Sequence, residues 1–240
     1  MSKPLKGKVA VVTGASRGLG RAIVAHLAEL GADTVLIARD QNLLDEVAAA
    51  MKTESGRVLT ISCDVSDVEQ VKQATAKIVS DMGRVDILVN NVGIPAPRTF
   101  EETSISDWDT VIGVNLNAAF YMTHSLWGAL IDSGAGYVVN IAGTAGLRGG
   151  GSPAYGATKF GLSGLNFAIA AAGKDHNLRS TILYPGGMDT GWRGAPIGVK
   201  PASETMSPDE VARFIGNLVT SPTEFVVNEA VLNPIAQPFM

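Results

Sequence analysis

Short apolar, β-rich runs alternate along this chain with longer amphipathic stretches, a pattern that predicts an α/β fold: a doubly wound parallel sheet with helices on both faces. Two further observations support it. The strand candidates are apolar almost without interruption, as expected of strands buried on both faces. A glycine-rich turn, Thr13-Gly-Ala-Ser-Arg-Gly-Leu-Gly20, also links the first strand to the first helix, where a nucleotide-binding sheet places its phosphate site.

In chain order the expected strands are Val9 to Thr13, Thr34 to Ala38, Val58 to Cys63, Ile87 to Asn90, Tyr137 to Ala142, Ser180 to Tyr184 and Phe225 to Asn228. A helix begins with Arg21-Ala-Ile-Val after the glycine turn. Ser66-Asp-Val-Glu69 and Ser207-Pro-Asp-Glu210 read as capping boxes, the second with proline at the first helical position. Ser106 precedes a helix expected from about Asp107 to Ile131, and another runs from Tyr155 to Lys174. No repeat, low-complexity tract or linker interrupts the alternation, so residues 1–240 read as one domain. The least regular segment, 186–206, is rich in Gly and Pro. It falls at the carboxyl ends of the strands and reads as a lid over a ligand site, against the alternative of a plain connector.

The 240 residues are 46% hydrophobic, enough to bury a sizeable core. Net charge is −4 and no run of Lys or Arg occurs, which argues against nucleic acid and anionic membrane as partners. The N-terminal residues lack the apolar core of a signal peptide and no segment reaches the ~18 apolar residues of a membrane span, so the expectation is a cytoplasmic protein. Cys63 is the single cysteine, and His26, His124 and His176 are scattered without ligand spacing; no metal site is expected.

Gly14, Gly18 and Gly20 allow a tight turn and close approach of backbone to a pyrophosphate, whose charge the helix-terminal N–H groups would receive. Ser16, Arg17 and Leu19 complete that Rossmann-type turn. The second strand ends in Ala38-Arg39-Asp40, with no carboxylate at its tip to take a ribose 2′-hydroxyl. Arg39, flanked by Arg17, suits a 2′-phosphate, which favours NADP over NAD, although Asp40 leaves NAD as the alternative. Tyr155 and Lys159 are four residues apart and share one helix face. An ammonium there favours the phenolate, lowers the tyrosine pKa from its usual ~10 and makes Tyr155 a proton donor for general acid/base work.

Taken together these residues resemble the short-chain dehydrogenase/reductase family over essentially the whole chain. Cys63-Asp64-Val65 resembles the family's adenine-contacting element, and Asn90-Asn91-Val92-Gly93 its Asn-Asn-Ala-Gly motif. Val114-Asn115-Leu116 matches the segment of its active-site asparagine, and Pro185-Gly186-Gly-Met188-Asp-Thr190 the segment that contacts nicotinamide. The resemblance implies that Tyr155 exchanges a proton with a carbonyl or alcohol oxygen, that Lys159 binds the nicotinamide ribose as well as tuning Tyr155, and that Asn115 holds a water in a proton relay. It also implies a homo-oligomer, tetramer or dimer, assembled through the helices Asp107 to Ile131 and Tyr155 to Lys174, whose Gly156, Gly161 and Gly164 permit close contact.

One motif departs from the pattern. Asn140-Ile-Ala-Gly-Thr-Ala-Gly146 resembles the family's Asn-Ile-Ser-Ser-x-x-Gly, but the serine that bonds the substrate carbonyl aligns with Gly143, or with Ala142 when thirteen residues are counted back from Tyr155. Neither supplies a hydroxyl. Thr144 is adjacent but points to the opposite face of an extended chain, and Ser152 becomes a candidate if Gly149-Gly-Gly151 folds inward. Loss of one such donor costs ~10²–10³ in rate. The expectation is an NADP(H)-dependent enzyme interconverting a ketone or aldehyde and an alcohol, its substrate contacted by residues 143 and 144 and by Trp192, with Tyr184 a further candidate for an apolar ligand. The alternative is a dinucleotide-binding protein of low or no turnover, a sensor or inactive subunit; a methyl transferase would leave the Tyr–Lys pair unexplained.

Overall fold

A computed structural model describes residues 3–51, 56–148 and 152–237, without the side chain of Arg193. Seven parallel strands form one sheet in the order β3-β2-β1-β4-β5-β6-β7. They are β1 (Val9–Thr13), β2 (Asp33–Ala38), β3 (Val58–Ser62), β4 (Ile87–Asn90), β5 (Tyr137–Ile141), β6 (Arg179–Pro185) and β7 (Glu229–Leu232). The α-helices are α1 (Gly18–Glu29), α2 (Gln41–Ala50), α3 (Val68–Met82), α4 (Ile105–Ile112), α5 (Ala118–Asp132), α6 (Ala145–Arg148), α7 (Pro153–Gly173) and α8 (Pro208–Val219).

The two-residue period of each strand divides its apolar side chains between two cores. Ala10 and Val12 of β1 pack with Val89, Val139 and Leu183 under Ile23, Leu27 and Leu44 from α1 and α2 and Ile215 from α8. Val9 and Val11 face the other way, with Val35, Leu88 and Val138, toward Ile78 of α3, Met122 and Leu126 of α5 and Ile169 of α7. Burial on both faces is thus the reason the strands read as continuous apolar runs. The strand order reverses between β1 and β4, which opens a crevice at the carboxyl ends of those two strands.

Several expected boundaries move. The run Phe225 to Asn228 is not a strand: Phe225 and Val226 are exposed, and its carbonyls are taken by Arg179 Nη1 at Phe225, Thr181 Oγ1 at Val227 and the Ile182 N–H at Asn228. The seventh strand follows it, at Glu229–Leu232. Ser66 does not cap α3; its hydroxyl donates to Asp64, and Asp67 accepts the N–H groups of Glu69 and Gln70 instead. Ser104, not Ser106, caps α4, in a capping box with Asp107. The Ser207 box on α8 forms as expected. The single helix expected from Asp107 to Ile131 is interrupted by a π-helical turn, Gly113–Asn117, which carries Asn115. Such turns change the phase of a helix and recur at functional sites.

Candidate functional site

Tyr155 is the third residue of α7, whose first turn is fixed by Pro153 at the first helical position and by Ser152 as cap. Ser152 Oγ accepts the Tyr155 N–H at 3.4 Å, so this buried hydroxyl is used as a helix cap; Gly149 to Gly151 lie outside the described residues. One turn later Lys159 is buried, its Nζ donating to the Ile141 carbonyl at 3.0 Å and standing 5.4 Å from the centre of the Tyr155 ring. Burial pulls the ammonium down from 10.5 to about 8. The shared helix face expected from the spacing is therefore realised, with a desolvated cation beside the phenol.

The π turn sets Asn115 against the segment after β4. Its Oδ1 accepts the Ile94 N–H at 2.7 Å and its Nδ2 donates to the Ile94 carbonyl at 3.0 Å. This two-bond clamp leaves one lone pair and one N–H of the amide for any other partner. Gly93 lies where these groups converge: a Cβ there would meet Asn115 Oδ1 at 3.6 Å, Lys159 Nζ at 3.7 Å and the Trp192 ring at 3.8 Å. Trp192 is partly exposed and tilts over Tyr155, ring centres 6.3 Å apart. Tyr184 does not join them; it is buried among Ala119, Ala142, Leu162 and Ile182, with its hydroxyl donating to Ser163.

Gly143 sits at the end of β5 with φ +117°, a conformation that side-chain-bearing residues rarely adopt. A Cβ there would stand 3.6 Å from the Tyr155 hydroxyl, whereas Ala142 is buried in the apolar cluster under Tyr184. Of the two positions, 143 and not 142 therefore faces the Tyr155 hydroxyl. Thr144 continues the chain into α6, its N–H donating to the Pro185 carbonyl at 3.3 Å.

The glycine turn lies at the crevice between β1 and β4. Gly14 and Gly18 have positive φ, and a Cβ on Gly20 would strike the Gly14 carbonyl, so the turn needs glycine at each of the three. Asn91 braces it, its Nδ2 donating to the Thr13 carbonyl at 2.9 Å, and Thr13 Oγ1 accepts the N–H groups of Asn91 and Val92. Arg17 occupies the cap position of α1 without a side-chain hydrogen bond, and the first turn carries no acid; Asp40, Asp67, Ser104, Ser152 and Ser207 by contrast cap α2, α3, α4, α7 and α8. Among the described residues, no side chain caps the N–H groups around Gly18, Leu19 and Gly20 at this positive helix end. Ser16 is half-buried beside them.

Arg17, before α1, and Arg39, after β2, are both exposed, while the Asp40 carboxylate is engaged by the Leu43 N–H at 3.2 Å as the cap of α2. Asp64 accepts both the N–H and the hydroxyl of Ser66, and Val65 is buried under the sheet. Pro185, the last residue of β6, and Gly186 lead to Met188, which pairs with Met206, and to Thr190, whose side chain covers Gly18. Residues from motifs far apart in the sequence therefore meet at the carboxyl ends of the strands. What the sequence did not reveal is the backbone beneath them: the Ile141 carbonyl that holds Lys159 and the Ile94 peptide that holds Asn115 carry no side-chain signature. Among the described residues, no three His, Cys, Asp or Glu are placed to hold a metal ion, and no helix is long and apolar enough to cross a membrane.

A doubly wound parallel sheet with a glycine turn at its switch point and a Tyr–Lys pair at the same edge defines a Rossmann-type oxidoreductase. The chain belongs to the short chain dehydrogenase family, whose model matches residues 8–196. An acetoacetyl-CoA reductase of Rhizobium meliloti (strain 1021) is 35% identical over 234 residues, 93% of this chain and 95% of that protein. The structure resembles that of an alcohol dehydrogenase from the archaeon Thermococcus sibiricus complexed with 5-hydroxy-NADP, at a TM-score of 0.90 and 30% identity over 96% of this chain and 98% of that one. It also resembles a metagenomic short-chain oxidoreductase in complex with NADP, at a TM-score of 0.83 and 31% identity over 96% and 99% of the two chains.

Proposed function

We propose that this protein is an NADP(H)-dependent oxidoreductase that interconverts a ketone or aldehyde and an alcohol, with Tyr155 as general acid/base. The observation that carries the reading is the Tyr155–Lys159 pair, buried at its cationic end and opening on Gly93. The uncapped first turn of α1 fits a pyrophosphate and the bare Gly93 fits a flat ring beside Lys159 and Trp192, so the residues present suit a dinucleotide. Gly14, Ser16, Gly18, Leu19 and Gly20 would hold its phosphates, Arg17 and Arg39 a 2′-phosphate, and Asp64 and Val65 its adenine side. Asn91, Gly93, Pro185, Gly186, Met188 and Thr190 would border the nicotinamide half. When bound, the dinucleotide supplies a hydride to a carbonyl carbon or removes one from a carbinol carbon. NADP in one similar structure, 5-hydroxy-NADP in another, and the engaged Asp40 support NADP over NAD.

Tyr155 Oη then donates its proton to the carbonyl oxygen as that oxygen becomes an alkoxide, and takes it back in the reverse direction. Lys159 stabilises the phenolate left behind, and its low-dielectric surroundings strengthen that attraction. Asn115 holds the Ile94 segment, and with it Gly93, in place under the reacting groups. Thr144 and Trp192 border the substrate, and Trp192 favours an apolar group next to the carbonyl. The face of α5 and α7 directed away from the sheet exposes Phe120, Phe160 and Phe167, and nothing lies within 4 Å of a Cβ placed on Gly164; this supports assembly of copies of the chain through these helices.

A second reading, a dinucleotide-binding protein of low turnover, is favoured by the missing hydroxyl at Gly143. NADPH and NADH oxidation against a panel of ketones, aldehydes and 3-oxoacyl thioesters separates the two. Turnover on any member with NADPH supports the enzyme; tight NADPH binding without turnover on all of them supports the binding protein.

A further inference from the structure

Segment 186–206 lays Thr190 over Gly18 and Trp192 beside Tyr155, so its position sets one wall of the site. Its internal bonds close it on itself. The Met206 N–H donates to Gly187 at 2.9 Å, the Asp189 N–H donates to Met206 at 3.0 Å, and the Asp189 carboxylate accepts the Gly198 N–H at 2.8 and 3.0 Å. Apolar packing contributes little to holding its middle, where Ile197 and Val199 are exposed.

Beside the packing of Met188 and Met206 on the core, hydrogen-bonded ties among the described residues come from residues 232–237. The Gly186 N–H donates to the Leu232 carbonyl at 2.7 Å, extending the β6–β7 pairing by one bond. A turn closed by Gln237 N–H on the Pro234 carbonyl at 2.9 Å then brings the chain back, and the Ala236 N–H donates to the Ser203 carbonyl at 2.8 Å. The Gln237 side chain reaches in: its Oε1 accepts the Gly187 N–H at 2.8 Å. The amide oxygens of Asn233 and Gln237 together fill the space a side chain at Gly186 would need.

We infer that residues 233–237 act as a strap that positions segment 186–206 over the site, with Gln237 as the positioning residue through its side-chain oxygen. The function of the strap rests on the proposed oxidoreductase reading, since that reading makes 186–206 the wall next to dinucleotide and substrate; its structural action does not. Gln237 itself touches the Gly186–Gly187 backbone and is given no part in proton transfer.

The test is hydrogen exchange of the full chain without ligand, together with steady-state kinetics using NADPH, for the starting protein, Gln237→Ala and Gln237→Glu. One lost hydrogen bond corresponds to a change of about 3- to 10-fold in an equilibrium. In Gln237→Ala, exchange across 186–206 should therefore quicken by about that factor while β1 to β6 stay protected, and KM for the carbonyl should rise about 3- to 10-fold with a smaller change in kcat. Gln237→Glu should restore both, because a carboxylate oxygen accepts the same N–H. Unchanged exchange in 186–206, a uniform rise that includes the sheet, or a glutamate variant as impaired as the alanine one would each overturn the strap. If all three proteins lack turnover, the oxidoreductase reading fails, and the exchange data still decide whether the strap exists.

Discussion

Gly143 faces the hydroxyl of Tyr155: a Cβ on residue 143 would stand 3.6 Å from the phenolic oxygen, close enough for a side-chain hydroxyl to share the same substrate oxygen. The backbone at 143, at φ +117°, belongs to a glycine. Together these facts define what a serine there would gain and what it would strain.

Gly143→Ser is expected to raise kcat/KM for carbonyl reduction by up to ~10²–10³, the worth of one donor to a developing oxyanion. The positive φ costs stability of order 1–3 kcal/mol, which should appear as a Tm lower by several degrees. Ala142→Ser is the control. Ala142 points into the apolar cluster with Leu162 and Ile182, so its serine should bring no rate gain. Kinetics and thermal melts of both variants check the pair; a gain at 142 and none at 143 would contradict the geometry.

Tyr155→Phe should remove most turnover, since the phenol supplies the proton in the chemical step. NADPH affinity, set by the glycine turn and strand ends, should change little. Fluorescence titration and initial rates test both halves, and full activity in this variant would sink the mechanism.

Cofactor choice is expected to hinge on Arg17 and Arg39. Arg39→Asp should weaken NADPH binding by roughly 10-fold or more, the worth of a charge-assisted hydrogen bond to a phosphate, and shift preference toward NADH. Asp40 is not expected to serve NADH in the starting protein, because its carboxylate caps α2. Equal or tighter NADH binding in a direct titration would refute this assignment.

Buried Lys159 makes a pH prediction. The folded chain gives up this proton near pH 8 and the unfolded chain nearer its ordinary 10.5, so between these values the native state binds fewer protons. Stability contributed by this site therefore rises with pH from about 8 to about 10.5. Lys159→Met should flatten that rise and raise the Tm of the ligand-free protein at pH 7, by removing a desolvated charge held by a carbonyl, while turnover falls. Parallel Tm curves for the two proteins across that range would contradict it.

The glycine turn, the Tyr–Lys spacing and six of the seven strands are legible locally, because each rests on a short-range rule: positive φ for glycine, one helical turn, a run of residues buried on both faces. Phe225 to Asn228 misleads for a nonlocal reason. Its apolar composition suits a strand, yet Arg179, Thr181 and Ile182 engage its carbonyls and the pairing with β6 begins only at Glu229. The capping signals at Ser66 and Ser106 fail by one or two residues, because Asp64 takes the Ser66 hydroxyl and Ser104 finds Asp107 first.

By itself, then, the sequence determined the doubly wound architecture and which side chains to look for at its crevice. Only the tertiary structure decided that residue 143, and not 142, confronts Tyr155, that Asn115 spends two of its hydrogen bonds on Ile94, and that Gln237 meets Gly187. The division follows from the range of the forces. Helix and strand periodicity act over a few residues, whereas Gln237 and Gly187 are 50 residues apart and meet only because β7 docks beside β6.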